Sequence, residues 1–436
     1  RNTMLTRIYG TTFPSQKEMD DHMTMLEEAK KRDHKKLGKE LKLFMFHETA
    51  PGMPYWLPKG LELYNQLVGF WRREHKALGY QEIASPLVNK SELWKTSGHW
   101  DHYREDMFIA DMGENEVYGI KPMNCPNAMI VFQSMQVSYK DLPLRLSDTD
   151  RLHRYERSGT LNGLFRVRSF QQDDSHNFIS EDMIASEYKH IFEVCEKFYS
   201  IFGLTYTFRL GTRPEKFMGE VEVWEKAEKQ LKQILEESGK DYSIEEGDGA
   251  FYGPKVDIVM KDSIGRSWQM GTIQLDFQIP RRFDLTYIDK AGNKKTPIVV
   301  HRVIYGSLER FIGILIEHVA GAFPLWLAPT QVAILPISEK FTQLAESVQK
   351  KFQEAGIRSE LDTDDKPIGA KIRNSTLQKV PYMCIIGQKE YDASVDKSTG
   401  STYHVSVRSR EADDLGTLAL DSFISSLKKD IEKRKL

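Results

Sequence analysis

The stretch that decides the reading is Arg166–His176, "RVRSFQQDDSH". Taken as a β-strand, its even positions line one face: Arg166, Arg168, Phe170, Gln172, Asp174 and His176. The odd positions, Val167, Ser169, Gln171, Asp173 and Ser175, offer a single apolar side chain. A strand that only supports a soluble fold buries at least one apolar face. This one sets guanidiniums, a phenyl ring, an amide, a carboxylate and an imidazole in a row, as the floor of a site would. A ladder of cross-strand ion pairs on an exposed sheet stays open as an alternative, although such a ladder does not need Phe, Gln and His on the same face.

Just upstream, "DRLHRYERSG" is a second strand candidate, with Arg154 and Glu156 on one face. The intervening Arg157–Phe165, "RSGTLNGLF", contains two Gly and an Asn and predicts a hairpin with a mobile loop. Arg154 and Glu156 facing Arg166 and Phe170 make a basic and aromatic platform. A guanidinium grips phosphate oxygens through parallel hydrogen bonds, and a phenyl face stacks on a purine. A third cation, Arg310, lies in the first turns of the apolar helix "GSLERFIGIL", at the end of the dipole that favours anions. An Arg of a core helix paired with a buried acid fits that pattern too.

Cys125 sits between prolines in "KPMNCPN" and reads as part of a rigid irregular segment, not a helix. His176 closes the polar strand, and His301, in "VVHRVIYG", ends another strand before the Arg310 helix. One sulfur and two imidazoles suit zinc with an open fourth position. Their wide separation leaves ordinary packing roles open for each. Cys195 and Cys384 read as packing residues.

Composition narrows the classes. A formal net charge of −2 over 436 residues exerts no global pull on nucleic acid, so an RNA partner must be held by local basic surface. Three cysteines without a C-x-x-C exclude a disulfide framework and a zinc ribbon, and fit a reducing compartment. No apolar run approaches the roughly 18 residues of a membrane span, so no membrane partner is expected. The start at Arg1 is read as the removal of something upstream, a transit peptide or an artificial boundary.

Three segments are expected. Residues 1–42 form an N-terminal helical extension; within it the highly charged 16–40 predicts a surface helix or helical hairpin, more scaffold than site. Residues 43–328 mix short strand candidates with helices, an α+β pattern. The composition changes at "FPLWLAPT", Phe323–Thr330, and residues 329–436 alternate strands and helices, predicting an α/β unit with a mostly parallel or mixed sheet.

The strings "APGMPYW", "KPMNCPN", "RVRSFQQDDSH", "TRPEK", "GAFYGPK", "GTIQLDF" and "HRVIYGSLERFIG" together resemble, in order and spacing, the class II aminoacyl-tRNA synthetases and, among them, the threonyl-tRNA synthetase family. The resemblance runs from about residue 33 to the C-terminus. Motif 1 is the helix and strand ending at Pro86, motif 2 the Arg154–Glu156 strand with its loop and "RVRSF", motif 3 "GSLERFIGILIE". It implies a class II catalytic domain at 43–328, α+β and built on an antiparallel sheet with flanking helices, an anticodon-binding domain at 329–436, and a homodimer. It also implies these roles. Arg154 binds the α-phosphate of ATP, Arg310 the γ-phosphate and Glu156 the adenine amino group, while Phe170 stacks on adenine and Arg166 closes over the nucleotide. Cys125, His176 and His301 hold Zn²⁺. Asp174 bonds the threonine hydroxyl; Met123, Gln172, Tyr252 and Gln269 lie at the amino-acid pocket. Gln274, placed with the ATP contacts, and Lys255 are pocket or transition-state contacts. His99 matches a residue that helps deprotonate the tRNA ribose hydroxyl.

The implied activity is attachment of threonine to tRNA(Thr), using ATP with Mg²⁺, and the implied partners are that tRNA, threonine, ATP and a second copy of the chain. A catalytically silent paralogue that binds tRNA is the alternative; such chains usually lose an ATP-gripping arginine. Asn127 and Ala128 stand where the family commonly has Gly-His, and Arg157 where Pro is usual, which bears on the geometry near the tRNA 3′ end. Residues 1–42 leave no room for the family's editing domain, and that short form resembles the fungal mitochondrial enzyme. A mitochondrial matrix location (cytoplasm as the alternative) and correction of misactivated serine by hydrolysis of seryl-adenylate in the synthetic site are therefore expected. Lys371, Arg373, Lys379 and Arg408 are candidates for anticodon contacts.

Overall fold

The computed structural model describes residues 10–114, 116–262, 265–394, 402–411 and 413–434. At its centre lies an eight-stranded sheet in the order Tyr242–Glu245, Tyr206–Gly211, Lys255–Lys261, Ser267–Asp276, Ile298–Val303, Asp174–Ile179, Leu144–Asp148, Gln81–Glu82. Only the two outermost pairings are parallel; the rest run antiparallel.

Period-two alternation divides this sheet. Ile258, Ile273, Leu275, Ile298 and Val300 point to one side, into an apolar cluster with Pro58–Ala77, Ile184–Ser200, Val221–Ser238 and Leu308–His318. Each helix presents an apolar stripe there, as Ile184–Ser200 does with Tyr188, Ile191, Cys195 and Phe198. The other side carries Asp174, His176, Gln274 and His301, set next to one another by the registers His176 to His301 and His301 to Gln274. The first face is thus apolar along its length, whereas the second sets this polar group beside a smaller apolar cluster that takes Leu144, Leu146, Phe178 and Val299.

The opening stretch is not one strand. It divides into Ser169–Gln171, paired with Arg151–His153, and Asp174–Ile179 in the large sheet. The break has a cause: Asp173 accepts from the backbone N–H of Ile304 and Tyr305 (3.0 and 2.9 Å), and the Gln171 N–H donates to Glu309 (3.1 Å). The chain changes pairing partner at that point. The upstream strand also ends early, at His153, so Arg154 and Glu156 lie beyond it. There the Glu156 carbonyl accepts from the Arg168 guanidinium (2.9 Å) instead of from a strand partner. Cys125, read as irregular, is the first residue of the helix Cys125–Gln133, with Pro126 in its first turn where a missing N–H costs nothing.

The N-terminal charged run forms two helices, Gln16–Arg32 and His34–Glu40; the first buries no residue, whereas His34, Leu37 and Gly38 of the second are buried. Beyond Ala328, the last residue of the main apolar cluster, a second cluster starts at Val332. It packs a five-stranded mixed sheet, ordered Ser359–Leu361, Val332–Pro336, Tyr382–Ile386, His404–Ser409, Asp414–Ala419, under Thr342–Glu354 and Leu420–Lys433. Lys371 is withdrawn from any RNA: it is buried, and its ammonium donates to the carbonyls of Pro336 and Asp362 (3.2 and 3.0 Å).

Candidate active site

One cavity of 510 Å³ opens on the polar side of the large sheet. Arg154, Glu156, Arg166, Phe170 and Arg310 line one end of it; Met123, Cys125, Asp174, His176 and His301 line the other, and Gln172, Tyr252, Gln269, Gln274 and His99 lie on its wall. Of the even positions that open the reading, only Arg168 turns away, to Glu156, Ser158 and the Tyr155 ring. Lys255 is the one implied site residue that does not line the cavity. Its ammonium is 3.0 Å from both Asp248 and Asp257.

At the arginine end the cations are held by backbone. Arg154 donates to the Pro122 carbonyl (3.1 Å), and Arg310 to those of Phe165 (2.8 Å) and Gln269 (2.7 Å). The Arg154 guanidinium lies 5.0 Å from the centre of the Phe170 ring. Glu156 is 3.9 Å from Arg166, too far for a tight pair. Burial, with Arg166 and Arg154 beside it, lowers Arg310 to about 10. Such a cluster of like charges, oriented but not neutralised, is complementary to a polyanion.

At the other end one ligand atom each from Cys125, His176 and His301 lies within 4.8 Å of the others. Asp276 fixes the His301 ring: its Oδ2 is 2.8 Å from Nε2, and its Oδ1 accepts from the Gln278 and Ile279 N–H groups. A carboxylate only accepts, so Nε2 carries a proton; against the cost of burial, Cys125 and Asp276 beside the ring raise His301 to about 10, so a metal ion would have to displace a proton from Nδ1. That Nδ1, and the Nδ1 of His176, are buried without a hydrogen-bond partner. Burial and the neighbouring His301 hold His176 well below its ordinary value, in the neutral form that binds metals. A soft sulfur, two imidazoles whose buried Nδ1 atoms have no partner, and a carboxylate behind one ring fit a zinc ion. Beside them, burial raises Asp174 to about 6, against the opposing hydrogen bond from Asn124 Nδ2 (2.7 Å).

His99 is held neutral, lowered to about 3 chiefly by burial and then by His301. Its Nδ1 is 2.8 Å from Ser97 Oγ, which itself donates to Trp94 O; the ring therefore donates at Nδ1 and keeps a bare lone pair on Nε2. Tyr252 donates to Gln274 (2.6 Å), while Gln269 donates to Asp257 (2.7 Å) and Thr272 (3.0 Å). The roles of Asn124 and Asp276 escaped sequence reasoning. Both stand inside strings already singled out, yet nothing in their spacing says which neighbour they orient.

An antiparallel sheet with arginines for a polyanion beside a thiol–imidazole triad has the features that the resemblance to class II aminoacyl-tRNA synthetases implies. The sequence agrees: residues 108–319 match the tRNA synthetase class II core domain (G, H, P, S and T), and residues 331–430 an anticodon binding domain. The chain is 52% identical to the threonine–tRNA ligase of Clostridioides difficile strain 630 over 434 residues, covering 100% of this chain and 66% of that protein. It is 52% identical to that of Clostridium botulinum strain Okra over 433 residues, 99% of this chain and 67% of the relative. A crystal structure described as the RNA binding domain of threonyl-tRNA synthetase from Cryptosporidium parvum Iowa II superposes with a TM-score of 0.86 at 41% identity, covering 91% of this chain and 98% of that one. The chain belongs to the threonine–tRNA ligase family, and it spans about two thirds of the length of the curated relatives it matches.

Proposed function

We propose that the chain is an ATP-dependent threonine–tRNA ligase. One observation carries the reading: a Cys–His–His triad with Asp174 alongside shares a single cavity with three arginines. The first gives a means of reading a small polar amino acid, the second a means of holding a nucleotide triphosphate. A silent paralogue usually loses an ATP-gripping arginine, whereas Arg154 and Arg310 both line the cavity.

In the first step a threonine carboxylate oxygen forms a bond to the α-phosphorus of ATP, the bond to the β-phosphate bridge breaks, and pyrophosphate leaves. Arg154 and Arg310, fixed through carbonyls, direct their remaining N–H groups at phosphate charge, and positioning supplies the rest. Asp174 accepts the hydrogen bond of the threonine hydroxyl, and Tyr252 and Gln274, bonded to each other, close the wall beside it. Zinc held by Cys125, His176 and His301 would supply a Lewis-acidic site for the amino and hydroxyl groups. In the second step a terminal ribose hydroxyl of tRNA(Thr) attacks the threonyl carbonyl and AMP leaves; the Nε2 lone pair of neutral His99 can accept a hydrogen bond from that hydroxyl. The C-terminal unit takes the anticodon loop, and the active form is a homodimer, which sedimentation equilibrium checks.

ATP–pyrophosphate exchange that requires threonine, together with one zinc per chain by elemental analysis, supports the proposal. Exchange driven by proline or serine in preference to threonine would falsify it.

A further inference from the structure

The N-terminal helix His34–Glu40, scaffold by its sequence, touches the loop that leads into Arg166. His34 is only 1% exposed, and both of its ring nitrogens are engaged. The Leu164 N–H donates to Nε2 (3.1 Å), and Nδ1 lies 2.8 Å from Glu317 Oε1. An amide N–H only donates, so Nε2 is bare and Nδ1 carries the proton towards Glu317. Glu317 lies on Leu308–His318, the helix that carries Arg310. One imidazole therefore spans from that helix to the turn before Arg166.

The turn is tight and held on both sides. Asn162 and Arg166 close it (Asn162 N to Arg166 O, 3.2 Å), and Lys35 Nζ reaches Asn162 Oδ1 (3.3 Å). The His34 and Phe165 rings lie 4.1 Å apart. Gly163 has φ 49°, and a Cβ there would fall 2.3 Å from His34 Nε2. From the opposite side Arg310 Nε donates to the Phe165 carbonyl (2.8 Å), and Gly313 makes room for the ring, since a Cβ would lie 2.9 Å from it. Leu164 and Phe165 are buried, whereas Arg166 is exposed at the mouth of the cavity.

We propose that His34 is a positioning residue for nucleotide binding: through the Leu164 N–H it fixes the 162–166 turn against the Arg310 helix and so presents Arg166 to the phosphates. The proposal rests on the ATP reading of the site. It makes the N-terminal segment part of the ATP-binding machinery, acting through backbone.

Side-chain amides separate the two bonds. The nitrogen of Asn occupies the place of Nδ1, and the oxygen of Gln that of Nε2. His34→Asn keeps the Glu317 contact and orphans the Leu164 N–H; His34→Gln keeps an acceptor for Leu164 and gives up Glu317. In threonine-dependent ATP–pyrophosphate exchange on the full chain, His34→Asn is expected to raise KM for ATP about ten-fold while KM for threonine stays unchanged, and His34→Gln to stay within about two-fold. Gly163→Ala, which pushes the turn off His34 from the other side, is expected to act like His34→Asn. Equal rises in both KM values for His34→Asn and His34→Gln, or no rise in either, would overturn the proposal. Should the wild-type chain show no threonine-dependent exchange, the functional reading fails, and the clamp is judged by amide hydrogen exchange alone. Faster exchange at Leu164 in His34→Asn than in His34→Gln supports it; equal rates refute it.

Discussion

At the arginine end of the cavity two of the three guanidiniums, those of Arg154 and Arg310, are aimed by backbone carbonyls, and the third, Arg166, has only a distant acidic partner in Glu156 (3.9 Å). At the thiol–imidazole end side chains orient side chains, Asn124 for Asp174 and Asp276 for His301. The first arrangement keeps its charge uncompensated until an anion arrives. The second is settled within the protein, with the ligand atoms of Cys125, His176 and His301 gathered within 4.8 Å of one another. A site that must bind and release a polyanion gains from partners too weak to compete. A site that must tell one small amino acid from its isosteres gains from rigid, satisfied neighbours, because only then does a missing oxygen leave something unpaired.

The largest effect should come from removing that oxygen. Valine has the shape of threonine without the hydroxyl, so Asp174, and a zinc ion if held beside it by Cys125, His176 and His301, would lose a partner. Activation of valine is expected to fall below that of threonine by about ten thousand- to a hundred thousand-fold in kcat/KM. Exchange with valine within a hundred-fold of threonine would mean that the settled end does not read the hydroxyl. Next in size is Arg310→Met, expected to lower kcat/KM for ATP by about 100–1,000-fold. Arg310→Lys should rescue little, since one ammonium cannot reach the Phe165 and Gln269 carbonyls in the fork geometry and still face a phosphate. Full activity in Arg310→Lys would show that charge alone suffices, and the contrast between the two ends would lose its basis.

Serine keeps the hydroxyl and lacks only a methyl group. The settled end should therefore discriminate against it by no more than about 10–200-fold. ATP consumption with serine and tRNA running ahead of accumulated seryl-tRNA is expected if seryl-adenylate is hydrolysed in the same cavity; one ATP per seryl-tRNA would exclude that route. Of similar size is Asp276→Asn. It leaves a hydrogen-bond partner for His301 but removes the charge behind the ring, and should weaken zinc binding by about 10–100-fold in a chelator competition. Zinc affinity equal to wild type would show that Asp276 orients His301 without tuning it.

How far these ends were legible in the sequence differs for the same physical reason. The alternating face from Arg166 to His176 could be read because strand periodicity is local, and five of its six side chains reach the cavity. The break at Asp173 could not, since it is caused by backbone N–H groups of Ile304 and Tyr305 far along the chain. Arg168 was misplaced because it looks like its neighbours until one knows that the Glu156 carbonyl awaits it. The helix opening at Cys125 was hidden by prolines, which bar a helix interior but suit its first turn. The mixture of strands and helices and the alternating C-terminal unit followed from patterning, and the antiparallel sheet from the class II resemblance, whereas the half-exposed strand Asp414–Ala419 and the short helix Gln388–Ser394 carry too little pattern to be seen.

Lys255 gives the smallest expected effect and the sharpest test of where the settled network stops. Its ammonium pairs with Asp248 and with Asp257, whose other oxygen accepts from Gln269 (2.7 Å) and Thr272 (2.9 Å) on the cavity wall. Arg209 holds the same Asp257 oxygen as Lys255 (2.9 Å). Deleting the lysine therefore leaves Asp257 with a cation and Gln269 with its acceptor. For Lys255→Met the loss is that of one hydrogen bond in a shared set, about five-fold in KM for threonine, with kcat and KM for ATP unchanged. If Lys255 instead touched the reacting groups, kcat would drop about 100–1,000-fold, as for an arginine of the other end. The ratio of the two parameters in this one variant decides whether Lys255 supports the wall or belongs to the chemistry; its place outside the cavity lining favours the wall.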